Sequence, residues 1–176
     1  MVVDGLPLAS APPLVSPRPS AQERLRLLEL AAAVPVPGWT VLPVDPDGRL
    51  AVLVAPVCPG PILAACGPSP VTAIGVLASA GMRSRVHLVA ASGLQAASGW
   101  GQPVRLLALP ARTPALRALL AAWGRHVPAH GAIVFFGGLA PLPQALGLRR
   151  DYWEAQGLEG GTSLLVRLPV GCTGCT

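Results

Sequence analysis

Few residues in this 176-residue chain belong to the types that carry acid–base or nucleophilic chemistry. The three histidines, His87, His126 and His130, stand in or beside apolar segments with no acidic residue nearby in sequence, so no Ser-His-Asp arrangement can be assigned. His126 and His130 are four residues apart, but Pro128 lies between them and disfavours the helix that would place both rings on one metal ion.

The carboxylates and the cysteines form no complete site either. Asp45 and Asp47 belong to an Asp-Pro-Asp-Gly segment, which is typical of a turn. Cys172 and Cys175 have the Cys-x-x-Cys spacing that supplies half of a zinc site or a redox pair, and the other two cysteines do not supply the second half. We therefore expect no metal site. The absence of lysine also excludes a phosphate-binding loop that ends in Gly-Lys-Ser or Gly-Lys-Thr.

The composition is that of one compact domain with an unusually uncharged surface. Hydrophobic residues make up 52% of the chain and charged residues 12%, about half of the usual charged share. Such a surface predicts a protein partner or a homo-oligomer. The uncharged stretch 50–82 contains five prolines, which disfavour a membrane-spanning helix and indicate short buried strands. The amino-terminal residues lack the pattern of a signal peptide, so we expect a cytoplasmic location without membrane insertion.

All of the positive charge behind the net +5 comes from arginine, because the chain has no lysine. The chain also has no asparagine, and this bias is typical of a GC-rich genome. Arg105, Arg112, Arg117 and Arg125 could form a basic face, which makes a nucleic-acid-associated protein one alternative. No aromatic residues alternate with these arginines as single-strand binding by stacking would require.

The positioning elements begin after a proline-rich arm. Residues 1–19 are too rich in proline and small residues to form a core, so we expect them to be disordered or to lie along the surface. Ser20 and Glu23 have the spacing of a capping box, which predicts a helix of about 13 residues. Residues 39–57 contain two apolar runs around the Asp-Pro-Asp-Gly segment, and this pattern predicts a β-hairpin. Residues 20–170 are expected to form the domain, in which 142–153 could form a short helix and 162–170 the last strand. Residues 171–176 are expected to be a flexible tail.

Two consecutive strand-helix-strand units, in residues 61–92 and 104–138, predict the fold class. Ser69 and Thr113 each precede a proline, which is typical of a helix start with a side-chain cap. The second helix is expected to bury four apolar side chains at helical spacing: Leu116, Leu119, Leu120 and Trp123. These units indicate a single α/β domain with a mixed twisted sheet and helices on both faces; a ferredoxin-like βαββαβ core with additions is the alternative.

The stretch 104–170 contains, in order, "LALPARTPALRALLAAW", "AIVFFGG", "ALGLRRDYW" and "SLLVRLPV". In this order it resembles the carboxyl-terminal half of GNAT-type N-acyltransferases. The resemblance implies binding of acetyl-CoA or another acyl-CoA at the loop before the second helix, through Arg112, Thr113 and Ala115. It also implies that Tyr152 acts as the general acid. The loop departs from the family pattern because it has no glycine, and Pro114 removes one amide donor.

Three functions follow as expectations from the sequence. The first is an acyl-CoA-dependent N-acyltransferase or a non-catalytic relative. The second is an interaction or oligomeric module without enzymatic activity, and the third is a basic nucleic-acid-associated protein.

Overall fold

The computed structural model describes residues 18–137, 153–157 and 163–169. Within these residues the helices are α1 (Ala21–Ala33), α2 (Arg49–Val54), α3 (Val71–Ser79), α4 (Gly93–Ala97) and α5 (Leu116–Gly124). The strands are β1 (Trp39–Leu42), β2 (Ile62–Ala65), β3 (Val86–Val89), β4 (Val104–Pro110), β5 (Ala132–Phe136), β6 (Trp153–Gly157) and β7 (Ser163–Arg167).

The strands form one sheet in the order β3-β2-β1-β4-β5-β7-β6. The first five strands of this order are parallel, and β7 runs antiparallel to both β5 and β6. β2 and β3 lie on one side of β1, and β4 and β5 lie on its other side. The predicted mixed sheet is confirmed. The ferredoxin-like alternative is wrong, because β2 to β5 all belong to the parallel part of the sheet.

The two faces of the sheet are covered by different helices. Alternate residues of β4 point to opposite sides, so that Leu106 packs with α1, α2 and α3, whereas Leu107 packs with α4 and α5. Every residue of β4 and of β5 is buried, as expected for parallel strands with helices on both faces. The prediction of helices on both faces is therefore confirmed.

The predicted capping box begins α1. The Ser20 hydroxyl accepts a hydrogen bond of 3.2 Å from the Glu23 amide, and the Glu23 carboxylate accepts one of 2.7 Å from the Ser20 amide. The second carboxylate oxygen of Glu23 accepts a bond of 2.6 Å from the amide of Gly137, just after β5. Glu23 therefore both caps its own helix and attaches that helix to the sheet.

The predicted hairpin over residues 39–57 is wrong. β1 pairs in parallel with β2, and α2 lies between them. The carboxylate of Asp45 accepts hydrogen bonds from the amides of Leu50 and Ala51 in the first turn of α2, at 3.2 and 2.9 Å. Aspartate and glycine are common both in turns and at helix starts, so this segment alone does not distinguish a hairpin turn from the start of a helix.

The predicted side-chain caps at Ser69 and Thr113 are also wrong. α3 and α5 begin at Val71 and Leu116 without a side-chain cap hydrogen bond. Before α5 the backbone forms a tight turn instead, in which the Thr113 amide donates to the carbonyl of Pro110 and the Thr113 carbonyl accepts from Leu116. The expected apolar face of α5 is confirmed, since its four predicted side chains are buried.

Arg105 cannot belong to a basic face, because its side chain is buried with 2% exposure. The guanidinium donates hydrogen bonds to the carbonyl oxygens of Ala31, Val34 and Val36, at 2.9, 2.5 and 3.3 Å. These carbonyls lie at and just beyond the carboxyl terminus of α1, where the helix dipole favours a cation. Arg112, Arg117 and Arg125 are exposed.

The predicted closing strand is confirmed as β7. The helix predicted for 142–153 lies outside the described residues except for Trp153, which begins β6. In the described part of the chain, no helix has the length and apolar character needed to cross a membrane.

Candidate functional site

A cleft of about 520 Å³ opens at the carboxyl ends of the parallel strands. It lies beside the ends of β1 and β2, the amino terminus of α4 and the loop between β4 and α5. In open α/β sheets, ligands bind at the carboxyl edge where successive strands are added in opposite directions from the first one. Here that point is between β1 and β4, and the position of the cleft matches it.

Four chain segments supply the walls of this carboxyl-edge cleft. Their shared feature is that each follows a parallel strand or begins the next helix. The lining residues are Pro43, Val44 and Pro46 after β1, residues 65–69 at the end of β2, Ser92, Gly93 and Leu94 at α4, and Thr113, Pro114, Ala115 and Leu119 at α5.

The segment after β1 is shaped by Asp45. Its carboxylate is buried and turned toward α2, so it is not one of the lining residues. Burial raises the pKa of Asp45 to about 6, although the hydrogen bonds from the Ala51 and Leu50 amides oppose the rise. Asp45 thus holds Val44 and Pro46 in the wall without presenting its charge to the cleft.

The segment after β2 contains the cysteine of the cleft. Cys66 is buried, and its thiol donates to the carbonyl of Val89 at 3.3 Å. Burial raises the pKa of Cys66, which keeps the thiol neutral. Gly67 follows with φ of 76°, a left-handed conformation that favours glycine and turns the chain toward α3.

The segment at α4 is held by a close backbone approach. A side chain at Gly93 would overlap the carbonyl oxygen of Pro43, so only glycine lets α4 lie this near β1. The Gly93 carbonyl accepts a hydrogen bond of 2.9 Å from the indole nitrogen of Trp123, which is fully buried. Ser92 caps α4 by accepting from the Gln95 amide at 3.3 Å.

The structure brings together only some of the site residues predicted from sequence. Thr113 and Ala115 line the cleft, whereas Arg112 is exposed and is not a lining residue. Tyr152, like the cysteines of the tail, lies outside the described residues. The sequence analysis did not select Val44, Cys66 or Leu94. Cys66 and Leu94 follow the two strands of the first strand-helix-strand unit, and such positions lie at the carboxyl edge when the strands are parallel.

Comparison with known proteins gives matches at the level of structure. No protein-family model matches the chain, and no curated protein is similar to it in sequence. A methyltransferase from Geobacter sulfurreducens superposes with a TM-score of 0.72 and 20% identity, over 87% of this chain and 82% of that chain. This chain shares its fold with that structure.

Two further structures with this fold are similar to the chain. An rRNA methylase from Streptococcus thermophilus has a TM-score of 0.63 and 11% identity, over 82% of this chain and 95% of that one. A Streptococcus mutans protein described as a methyltransferase, in complex with S-adenosylhomocysteine, has a TM-score of 0.63 and 11% identity, over 85% and 99% of the two chains.

These matches overturn the acyltransferase prediction. The resemblance to GNAT-type enzymes rested on the order of strands and helices in 104–170, and a methyltransferase fold contains the same local order. The Geobacter sulfurreducens methyltransferase matches over 87% of the chain, so the acyltransferase function and the acyl-CoA cofactor are both wrong. The strand pairing, which the local pattern does not contain, separates the two folds.

Proposed function

We propose that this methyltransferase-fold protein binds a small molecule of the S-adenosylmethionine type in the carboxyl-edge cleft. The observation that carries the proposal is the position of the cleft at the reversal point between β1 and β4. Its volume of about 520 Å³ is within the range of small-molecule sites. The Streptococcus mutans protein that shares the fold holds S-adenosylhomocysteine, which supports this ligand class.

The walls of the cleft fit the adenosine part of such a ligand. Adenine has flat faces that pack well against apolar side chains, and Val44, Leu94 and Leu119 supply such surfaces. The hydroxyls of Ser69 and Thr113 lie at the same cleft and can exchange hydrogen bonds with ribose or with the ring nitrogens.

The walls do not fit the charged part. S-adenosylmethionine carries a sulfonium, an ammonium and a carboxylate, and each needs a polar or charged partner once it leaves water. Nucleotide-binding α/β proteins also commonly bind the ribose hydroxyls through an acidic side chain after the second strand, where this chain has Cys66. Among the described lining residues there is neither a carboxylate nor a basic side chain. These residues therefore match the neutral part of the cofactor only.

Methyl transfer itself is a second candidate function. It is favoured by the similarity to several methyltransferase structures over most of the chain. The test is incubation of the full chain with S-adenosylmethionine and thiol, amine and phenol acceptors, with S-adenosylhomocysteine measured as product. Formation of product above the rate without protein supports catalysis, whereas the background rate with every acceptor class contradicts it for those classes.

Ligand binding is tested by calorimetry of the full chain with S-adenosylmethionine, S-adenosylhomocysteine, 5′-methylthioadenosine and adenosine. We expect at least one of them to bind with a Kd below about 1 mM. Ser69→Trp places a large ring at an exposed lining position and should weaken that binding by about tenfold or more.

Ser79→Trp is the matched control, since Ser79 is exposed at the other end of α3 and does not line the cleft. It should leave the affinity unchanged. The proposal fails if none of the four compounds binds, or if Ser69→Trp and Ser79→Trp have the same effect.

A further inference from the structure

The described side chains around the carboxyl-edge cleft offer few free polar groups to a ligand. Four of the described lining residues carry a hydroxyl or thiol. The Cys66 thiol already donates to the carbonyl of Val89, and Ser92 accepts from the Gln95 amide and keeps its O–H as a donor. Ser69 and Thr113 are the other two. A ligand with several charged groups would lose its hydration at this wall without gaining equivalent partners.

Three backbone amides along the edge are also occupied. The amides of Asp45, Cys66 and Gly67 donate to the carbonyls of Ala65, Val89 and Ala91, at 3.1, 3.1 and 3.0 Å. Four further positions have no amide hydrogen because they are proline: Pro43, Pro46, Pro68 and Pro114. A carboxylate or phosphate is usually bound at such an edge by free amides. At these positions the edge of the cleft has no free amide to donate to an anion.

An apolar side chain of the cleft wall reaches solvent. Leu94 lines the cleft and is 39% exposed. An exposed leucine at the edge of a cavity is covered when an apolar ligand binds there. The apolar wall therefore continues outward to solvent at Leu94.

We infer that the carboxyl-edge cleft selects uncharged, mostly apolar ligands and discriminates against the amino-acid part of S-adenosylmethionine and S-adenosylhomocysteine. The inference rests on the proposed function, because it concerns the same cleft and specifies its ligand class. Within the adenosyl compounds it favours a neutral thioether nucleoside. It follows from three features of the described residues: a lining without ionised side chains, the occupied amides of Asp45, Cys66 and Gly67, and the exposed Leu94 in the wall.

The test compares two ligands that differ at one end. S-adenosylhomocysteine and 5′-methylthioadenosine share adenine, ribose and the thioether sulfur, but only the first has the zwitterionic amino-acid chain. We expect 5′-methylthioadenosine to bind the full chain at least about tenfold more tightly in calorimetry. Equal or tighter binding of S-adenosylhomocysteine overturns the inference and leaves the proposed function intact.

A neutral apolar dye separates the two proposals if neither nucleoside binds. In that case the proposed function fails, and fluorescence enhancement of Nile red measures whether the cleft still takes an apolar ligand. Leu94→Asp places a charge in the cleft wall and should weaken the affinity for the dye about tenfold. Leu25→Asp, at an exposed leucine of α1, should leave this affinity unchanged. Absence of dye binding, or equal loss in the two variants, overturns the inference. Circular dichroism confirms that both variants are folded.

Discussion

The carboxylate of Asp45 lies against the first turn of α2, where it accepts a hydrogen bond of 2.9 Å from the amide of Ala51. This contact converts a segment with turn composition into a helix start and holds the β1–α2 loop at the edge of the cleft. The carboxylate is fully buried, so the loop is stabilised by a group whose ionisation is opposed by its surroundings.

The first prediction concerns the pH dependence of stability at Asp45. Burial raises its pKa to about 6, so the native state binds the proton more tightly than the unfolded chain does. The resulting contribution to stability is complete below about pH 4 and is lost as the pH rises through about 6. The size of this contribution is roughly 3 kcal/mol.

Asp45→Asn removes this titration. Relative to the natural chain, the variant should therefore gain about 3 kcal/mol in free energy of unfolding between pH 4 and pH 7, measured by urea denaturation. Asp47→Asn makes the same chemical change two residues away, at a side chain that is partly exposed and paired with Arg49. A relative stability of Asp45→Asn that is constant with pH would contradict the prediction.

The second prediction concerns Arg105, which joins β4 to the end of α1. Arg105→Met keeps an apolar side chain of similar length but leaves the carbonyls of Ala31, Val34 and Val36 without their donor. We expect the free energy of unfolding to fall by about 3 kcal/mol. Arg117→Met, at an exposed position of α5, should change it by less than about 0.5 kcal/mol. Equal effects of the two substitutions in chemical denaturation would refute this role of Arg105.

The third prediction uses two glycines with opposite surroundings. Gly93→Ala forces a side chain against the carbonyl of Pro43 and should cost about 2 kcal/mol or more. Gly75→Ala, inside α3 with open space around the added atom, should instead stabilise the protein by about 0.5 to 1 kcal/mol. Thermal unfolding of the two variants checks the signs, and a stabilised Gly93→Ala protein would show that α4 does not need this close approach.

The fourth prediction concerns the cap of α1. Ser20→Ala removes the hydroxyl that accepts from the Glu23 amide and should lower the free energy of unfolding by about 1 kcal/mol. Ser79→Ala, in the last turn of α3, removes a hydroxyl that bonds to the carbonyl of Gly75 in the same helix and should have little effect or stabilise slightly. The cap has no energetic role if the two variants unfold at the same urea concentration.

Local patterns in the sequence were sufficient for the elements whose bonds are short-range. The capping box at Ser20 and Glu23 predicts the start of α1, because both hydrogen bonds join residues three positions apart. The apolar periodicity around Leu119 predicts the buried face of α5, and the two strand-helix-strand units predict an α/β sheet with helices on both faces. Each of these features depends on the spacing of side chains along one element.

Tertiary structure decided the features that join distant parts of the chain. Whether Asp45 ends a turn or begins a helix depends on the parallel pairing of β1 with β2, and Arg105 is buried because β4 packs beside the end of α1, 74 positions away at Ala31. The cleft likewise combines four segments that meet only through the strand order. Strand order is set by the packing of whole elements, and local spacing carries no record of it. For this reason the pattern in 104–170 indicated an acyltransferase, whereas the complete sheet matches structures of methyltransferases.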